Sequence, residues 1–291
     1  MGSHEGDHNS GRLYGDLEDR PPQRPDRART VVRNIGELLI TAGLIVLLFV
    51  VYEVYITDLL SAGKQREATA ALDDQWDKNK DVVEGGERTN KYDLEEGKGF
   101  AKLYLPSLGP DVHFTVLEGT SDKILESGPG HYKGTALPGE PGNFSIAGHR
   151  VGMGAPFNDL DLLGSCDAMV VETKAAWFVY RVLPMKGEAA SWDQRQKGNP
   201  HCADVKPLGG PYAKVLGSEI VVPSQGGVIS PVPNSPGAAP PADQASLITL
   251  TTCHPKFSDR QRLIVHGVLV KQWAKDPAKP GEVPPELKEN G

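Results

Sequence analysis

The stretch SLITLTTCHPKFSDRQRLIVHG, from Ser246 to Gly267, decides the fold. Its first run, SLITLTTC, alternates with a period of two: Ile248 and Leu250 fall on one face, Thr249, Thr251 and Cys253 on the other. A second β-like run, RLIVHGVLV, follows the polar, proline-containing turn HPKFSDRQ. Two such runs joined by a short turn predict an antiparallel hairpin, in which the end of the first strand faces the start of the second. Arg262 is thereby expected beside Cys253. The nearer cation, Arg260, falls in the turn itself.

Similar short runs recur upstream: FAKLYLPSL, HFTVLEG, NFSIAGH, AMVVET, AWFVYRVLPM and SEIVVPS, separated by Gly, Pro, Asn and Asp clusters with few amphipathic helical patterns between them. That spacing predicts an all-β sandwich or barrel over residues 100–273. A long insertion at 187–218 and the Pro-rich loop VISPVPNSPGAAPPADQ interrupt the strands. Residues 274–291 are expected as a disordered tail.

Ahead of the strands, the apolar run from Ile35 to Ile56 would be about 33 Å long as a helix, enough for a bilayer core of roughly 30 Å. We expect a single membrane-spanning helix at 35–57, with Tyr52 and Tyr55 at an interface. A cleaved signal peptide would be shorter and end in a clearer cleavage site than Ser61-Ala62-Gly63. Arg20, Arg24, Arg27, Arg29 and Arg33 precede the span, so the positive-inside rule places a disordered tail, 1–34, in the cytoplasm and the remainder outside. Residues 58–99, polar and then glycine-rich, are expected as an extracytoplasmic stalk that could prolong the helix outward. The formal charge of −7 argues against nucleic acid as the main partner.

Outside the cell disulfides are permitted, and three cysteines leave at least one unpaired in the monomer. Cys166 and Cys202 lie in turn-rich sequence, where a bridge could pin the insertion. Cys253, on the hydroxyl-bearing face of its strand, has the character of a nucleophile. A thiol of ordinary pKa is only a few per cent ionised at neutral pH, so it needs a base or a cation nearby. Arg262 could stabilise a thiolate or bind an oxyanion, but it cannot accept a proton. Four histidines compete for the base. His254 adjoins the cysteine and should point to the opposite side. His266 is mid-strand, and His131 lies in the turn-rich GPGHYKGTALPGE. His149 ends NFSIAGHR, where a strand breaks, and is the best placed, although spacing leaves the choice open. No Cys-x-x-Cys pair suggests a metal, and a papain-like peptidase would carry its cysteine before its histidine.

With these residues in hand, the chain resembles the sortases, most closely the class E sortases of actinobacteria. TLTTCHPKFSDRQRLIVHG is similar to that family's cysteine strand and following arginine, GNFSIAGHR to its histidine motif, and GHYKGTALPGE to the loop before it. The resemblance covers about Phe100 to Lys271 and the N-terminal anchor. It implies an eight-stranded sortase-type β-barrel behind a single N-terminal transmembrane helix, with Cys253, His149 and Arg262 as the catalytic trio. It also implies a transpeptidase that needs no cofactor. The cysteine would cleave the Thr–Gly bond of a Leu-Ala-x-Thr-Gly or Leu-Pro-x-Thr-Gly sorting signal on a secreted protein, and a peptidoglycan-precursor amine would resolve the thioacyl enzyme. Tyr104, Thr252 and His131 would be candidates for binding substrate. The chain lacks the Asp-Pro-aromatic lid and C-terminal span of pilin-polymerising sortases. Hydrolysis of the same signal by a cysteine peptidase, and a non-catalytic surface β-barrel adaptor, are the alternatives.

Overall fold

A computed structural model of the chain describes residues 27–52, 57–78, 94–238, 243–279 and 281–289. Most of the N-terminal tail, the glycine-rich part of the stalk and the middle of the Pro-rich loop lie outside the described residues. The apolar run forms helix α1 (Arg27–Val51), long and apolar enough to cross a membrane. It begins upstream of the expected start and takes in Arg27, Arg29 and Arg33.

Beyond it, the eight expected strands form, joined by a short ninth, Gly130–His131, in a stretch expected as a loop. They are β1 (Gly99–Tyr104), β2 (His113–Glu118), β3 (Gly130–His131), β4 (Gly142–Ala147), β5 (Ala168–Glu172), β6 (Ala176–Val182), β7 (Ser218–Val221), β8 (Ser246–His254) and β9 (Gln261–Ala274). They hydrogen-bond in the order β6-β5-β1-β2-β3-β4-β8-β9, and β6 pairs with β9 to close the ring. Eight strands thus make the expected barrel, and β7 lies outside the ring on the first half of β9. Where β9 passes from β7 to β6, Gly267 leaves room for neighbours, since a Cβ there would lie 2.3 Å from Met169 Cε and 2.9 Å from the Arg181 carbonyl. Alternation drives the packing. Leu103, Phe144, Ile146, Met169, Tyr180, Ile248, Leu250 and Val265 fill the interior.

Two segments differ from expectation. Residues of the expected stalk form helix α2 (Thr57–Lys78), which docks on β1 and β2. Strand β3 pairs with β2 only at Leu117 and Glu118, so the edge at Thr115 is open. Gln65 closes it: its amide oxygen accepts from Thr115 N (2.9 Å), and its Nε2 donates to the Thr115 and Ser127 carbonyls (3.2 and 2.6 Å). Leu72 is buried alongside. The second departure is the C-terminal segment expected as a disordered tail. It carries a 3-10 turn, Pro285–Lys288, whose Glu286 is only 2% exposed and pairs with Lys271 at 2.7 Å. Glu289 accepts two hydrogen bonds from Arg181 at 2.6 and 2.7 Å. Charge pairing, which hydrophobic periodicity does not reveal, holds this segment down.

The insertion is anchored as the turn-rich cysteines suggested. Cys166 and Cys202 form a disulfide, Cα–Cα 5.0 Å, and pack with Val205 and with Trp192 of helix α3 (Trp192–Gly198).

Candidate active site

Strand β8 delivers Cys253 to the rim of the barrel. Ile248 and Leu250 point into the core, so Cys253 shares the outer face with Thr249 and Thr251 and is half-buried, the one free cysteine of the chain. The β8–β9 register pairs Cys253 with Arg262, as the hairpin pattern predicts. The guanidinium is folded onto the turn, where Nη1 donates to the carbonyls of Asp259 (2.7 Å) and Gln261 (3.0 Å).

On its other side β8 runs parallel to β4, with Ala147 opposite Thr251. Two further bonds carry that alignment past the strand's end: Gly148 N donates to the Thr251 carbonyl (3.0 Å), and Thr252 Oγ1 donates to the Gly148 carbonyl (2.8 Å). Continuing the register by two residues sets His149 alongside Cys253. The Phe157 amide holds the His149 carbonyl at 3.0 Å. Gly148 is required there because a Cβ would meet the Phe157 ring at 2.6–3.0 Å. Burial pushes the imidazole below its usual pKa, against the pull of Asp122 and Glu126, which raise it. The imidazole is therefore neutral at pH 7 and able to take a proton. Among the described residues, no hydrogen bond engages the Cys253 thiol or the His149 ring.

The rival histidines have structural work. His266 is fully buried, with Thr249 Oγ1 at 2.8 Å and Glu219 Oε1 at 3.2 Å from its ring nitrogens. His131 is 1% exposed, with Nδ1 2.7 Å from Glu118 Oε2 and Nε2 2.9 Å from Thr135 Oγ1, so it cannot line a groove as the turn-rich loop suggested. Its neighbour Tyr132 faces outward instead, its hydroxyl 3.0 Å from Thr251 Oγ1 on the face that carries Cys253. Tyr104 has structural partners of its own. It packs on the outside of the barrel with Trp177 and donates to Glu172 Oε2 at 2.6 Å; burial, and then the Glu172 carboxylate, raise its pKa. The Thr252 hydroxyl is spent on Gly148. His254 does turn away from the thiol's neighbours, and its Nδ1 accepts from Arg150 at 3.1 Å. Nothing in the sequence reading singled out Arg150; only its place directly after His149 hinted at it.

A cavity of about 440 Å³ lies between α2, His113 and Phe114 of β2, and the Met153–Pro156 loop. It includes none of the trio.

A family model of the sortase domain matches residues 103–270. The chain is 32% identical to sortase SrtE1 of Streptomyces coelicolor over 265 residues, 89% of this chain and 62% of that protein, so it spans about three fifths of SrtE1's length. It is also 32% identical to SrtE2 of the same organism over 259 residues, 87% of either chain. Among solved structures, the SrtF sortase from Corynebacterium diphtheriae superposes with a TM-score of 0.62 at 42% identity, covering 71% of this chain and 100% of that one. The chain belongs to the sortase family, and its likeness to SrtE1 and SrtE2 bears out the resemblance to class E.

Proposed function

We propose that this chain is a membrane-anchored cysteine transpeptidase that cleaves a Leu-Ala-x-Thr-Gly or Leu-Pro-x-Thr-Gly sorting signal between Thr and Gly and passes the secreted protein to a peptidoglycan-precursor amine. The observation that carries the reading is the convergence at one strand end of a free thiol, a neutral histidine and an arginine, from β8, the end of β4 and β9. The Cys253 sulfur attacks the threonine carbonyl carbon while its proton passes to His149. The C–N bond then breaks, and the glycine amine leaves with that proton, giving a thioester. The incoming amine loses its proton to His149 as it attacks, and the Cys253 thiolate departs and is reprotonated. Arg262 binds the substrate and the oxyanion, exchanging two turn carbonyls for the developing charge. The arginines before the apolar run support a cytoplasmic N-terminus, which leaves the barrel outside to meet exported chains.

The test is intact-mass analysis of the full chain in detergent with a Leu-Ala-x-Thr-Gly peptide, with and without an amine. The expected result is a thioacyl adduct on Cys253 that amine converts to a new amide, with Cys253→Ala lowering turnover by about 10⁴-fold or more. Exclusive hydrolysis at high amine would favour the peptidase reading, and an absence of adduct and turnover would favour the adaptor.

A further inference from the structure

Arg150 is the most deeply buried cation near the rim: its side chain is 3% exposed. It reaches from the residue after His149 to three places. Nη1 donates to His254 Nδ1 (3.1 Å) and approaches the Cys253 carbonyl (3.5 Å), while Nη2 pairs with Asp161 Oδ1 at 2.8 Å. A second ion pair, Lys256 to Asp159 at 3.2 Å, joins the same two segments further out. Nε is buried with no partner among the described residues. An apolar side chain could fill this space without an unpaired donor or a buried charge, and such replacements are often no less stable. Packing alone does not account for a guanidinium here.

We propose that Arg150 is a positioning residue: it ties the Cys253 carbonyl and the His254 ring to the chain that carries His149, and so sets the separation of thiol and imidazole. The inference rests on the proposed roles of Cys253 and His149. A guanidinium suits the task because it is always charged and presents its donors in a rigid fork, so one side chain can hold His254, the Cys253 carbonyl and Asp161 in fixed relation. A lysine ammonium has charge but no fork. With its side chain 3% exposed, Arg150 would act from behind the reacting atoms.

The test compares Arg150→Lys and Asp161→Asn with the wild-type chain in detergent, using the peptide and amine above, with rates corrected for the folded fraction. For Arg150→Lys, kcat should fall about 10–100-fold, as expected for a misplacement of about an ångström, with KM within about twofold. Asp161→Asn keeps the fork on β8 and should lose less than about fivefold in kcat. An unchanged kcat in Arg150→Lys overturns the proposal. So does a rise in KM at constant kcat, which would make Arg150 a substrate contact, or a loss in both variants that only tracks the folded fraction. If instead the wild-type chain forms no adduct on Cys253, it is the functional reading that fails, which the Arg150 variants cannot imitate.

Discussion

Two polar clusters share the outer face of β4, β8 and β9, and they have opposite fates. Toward one end, Asn143, Thr249, His266 and Glu219 satisfy one another. Thr249 Oγ1 lies 2.7 Å from Asn143 Oδ1 and 2.8 Å from His266 Nδ1, and the Asn143 amide donates to the carbonyls of Val228 and Ser230. The segment Gly226–Ser230 covers them. At the other end, Cys253, His149 and Arg262 stand where β4 has ended and the turn after β8 folds away. They are half-buried, and the thiol and imidazole have no hydrogen-bond partner among the described residues. The same strand chemistry thus makes structure where a loop covers it and leaves reactive groups where cover stops. Burial removes water from both ends, but only the covered end replaces it with partners.

The sharpest way to break this contrast is to exchange the losses. His149→Ala should lower kcat/KM by about 10³–10⁴-fold while leaving the fold nearly as stable, because the ring has no bonds to lose. His266→Ala should do the reverse, costing about 1–3 kcal/mol through the unpaired Thr249 and Glu219, with activity per folded molecule close to wild type. Peptide transfer assays beside urea unfolding check both. Equal activity loss in the two variants would mean that the covered cluster is part of the reaction.

Gly148 tests the link between packing and chemistry. A methyl there would overlap the Phe157 ring, so Gly148→Ala should destabilise the barrel by about 1–3 kcal/mol. It should also lower kcat roughly tenfold by shifting His149, whose carbonyl Phe157 holds. A destabilised variant with wild-type kcat per folded molecule would show that the imidazole is placed by something other than this contact.

Much of this was legible because the hairpin is local. Alternation in SLITLTTC and the short turn after it lead directly to the Cys253–Arg262 pairing. His149 is harder to place because its alignment depends on a parallel pairing between β4 and β8, strands far apart in the chain, which no local pattern reports. The loop GHYKGTALPGE was a sound guide to the site's edge, but a turn has no fixed period, so its inward residue, His131, could not be told from its outward one, Tyr132. In β1 alternation does report the facing: Tyr104 lies one position along from the inward-facing Leu103, and its aromatic ring packs on the outside. The helical character of α2 is legible in its helix formers, but its docking is not, because polar groups, Gln65 above all, hold it to β2. Arg150 read as an ordinary charged neighbour, since burial of a lone arginine leaves no mark in sequence.

The finest distinction between the two clusters is electrostatic. Burial holds the His149 pKa down, so as pH falls the imidazole should stay neutral and competent past the ordinary histidine value of about 6.5. The acid limb of kcat/KM, which reports groups of the free enzyme, is therefore expected below that value. Asp122 and Glu126 pull the other way by favouring the charged ring. Neutralising either, as Asp122→Asn or Glu126→Gln, should move the limb further down, by roughly a few tenths of a pH unit at low salt and less at high salt. Glu126 is partly screened by Lys64 at 3.0 Å, so Asp122→Asn is the cleaner probe. A limb above 6.5, or one that rises in Asp122→Asn, would assign the titration to a group other than His149 and remove the neutral imidazole from the first proton transfer.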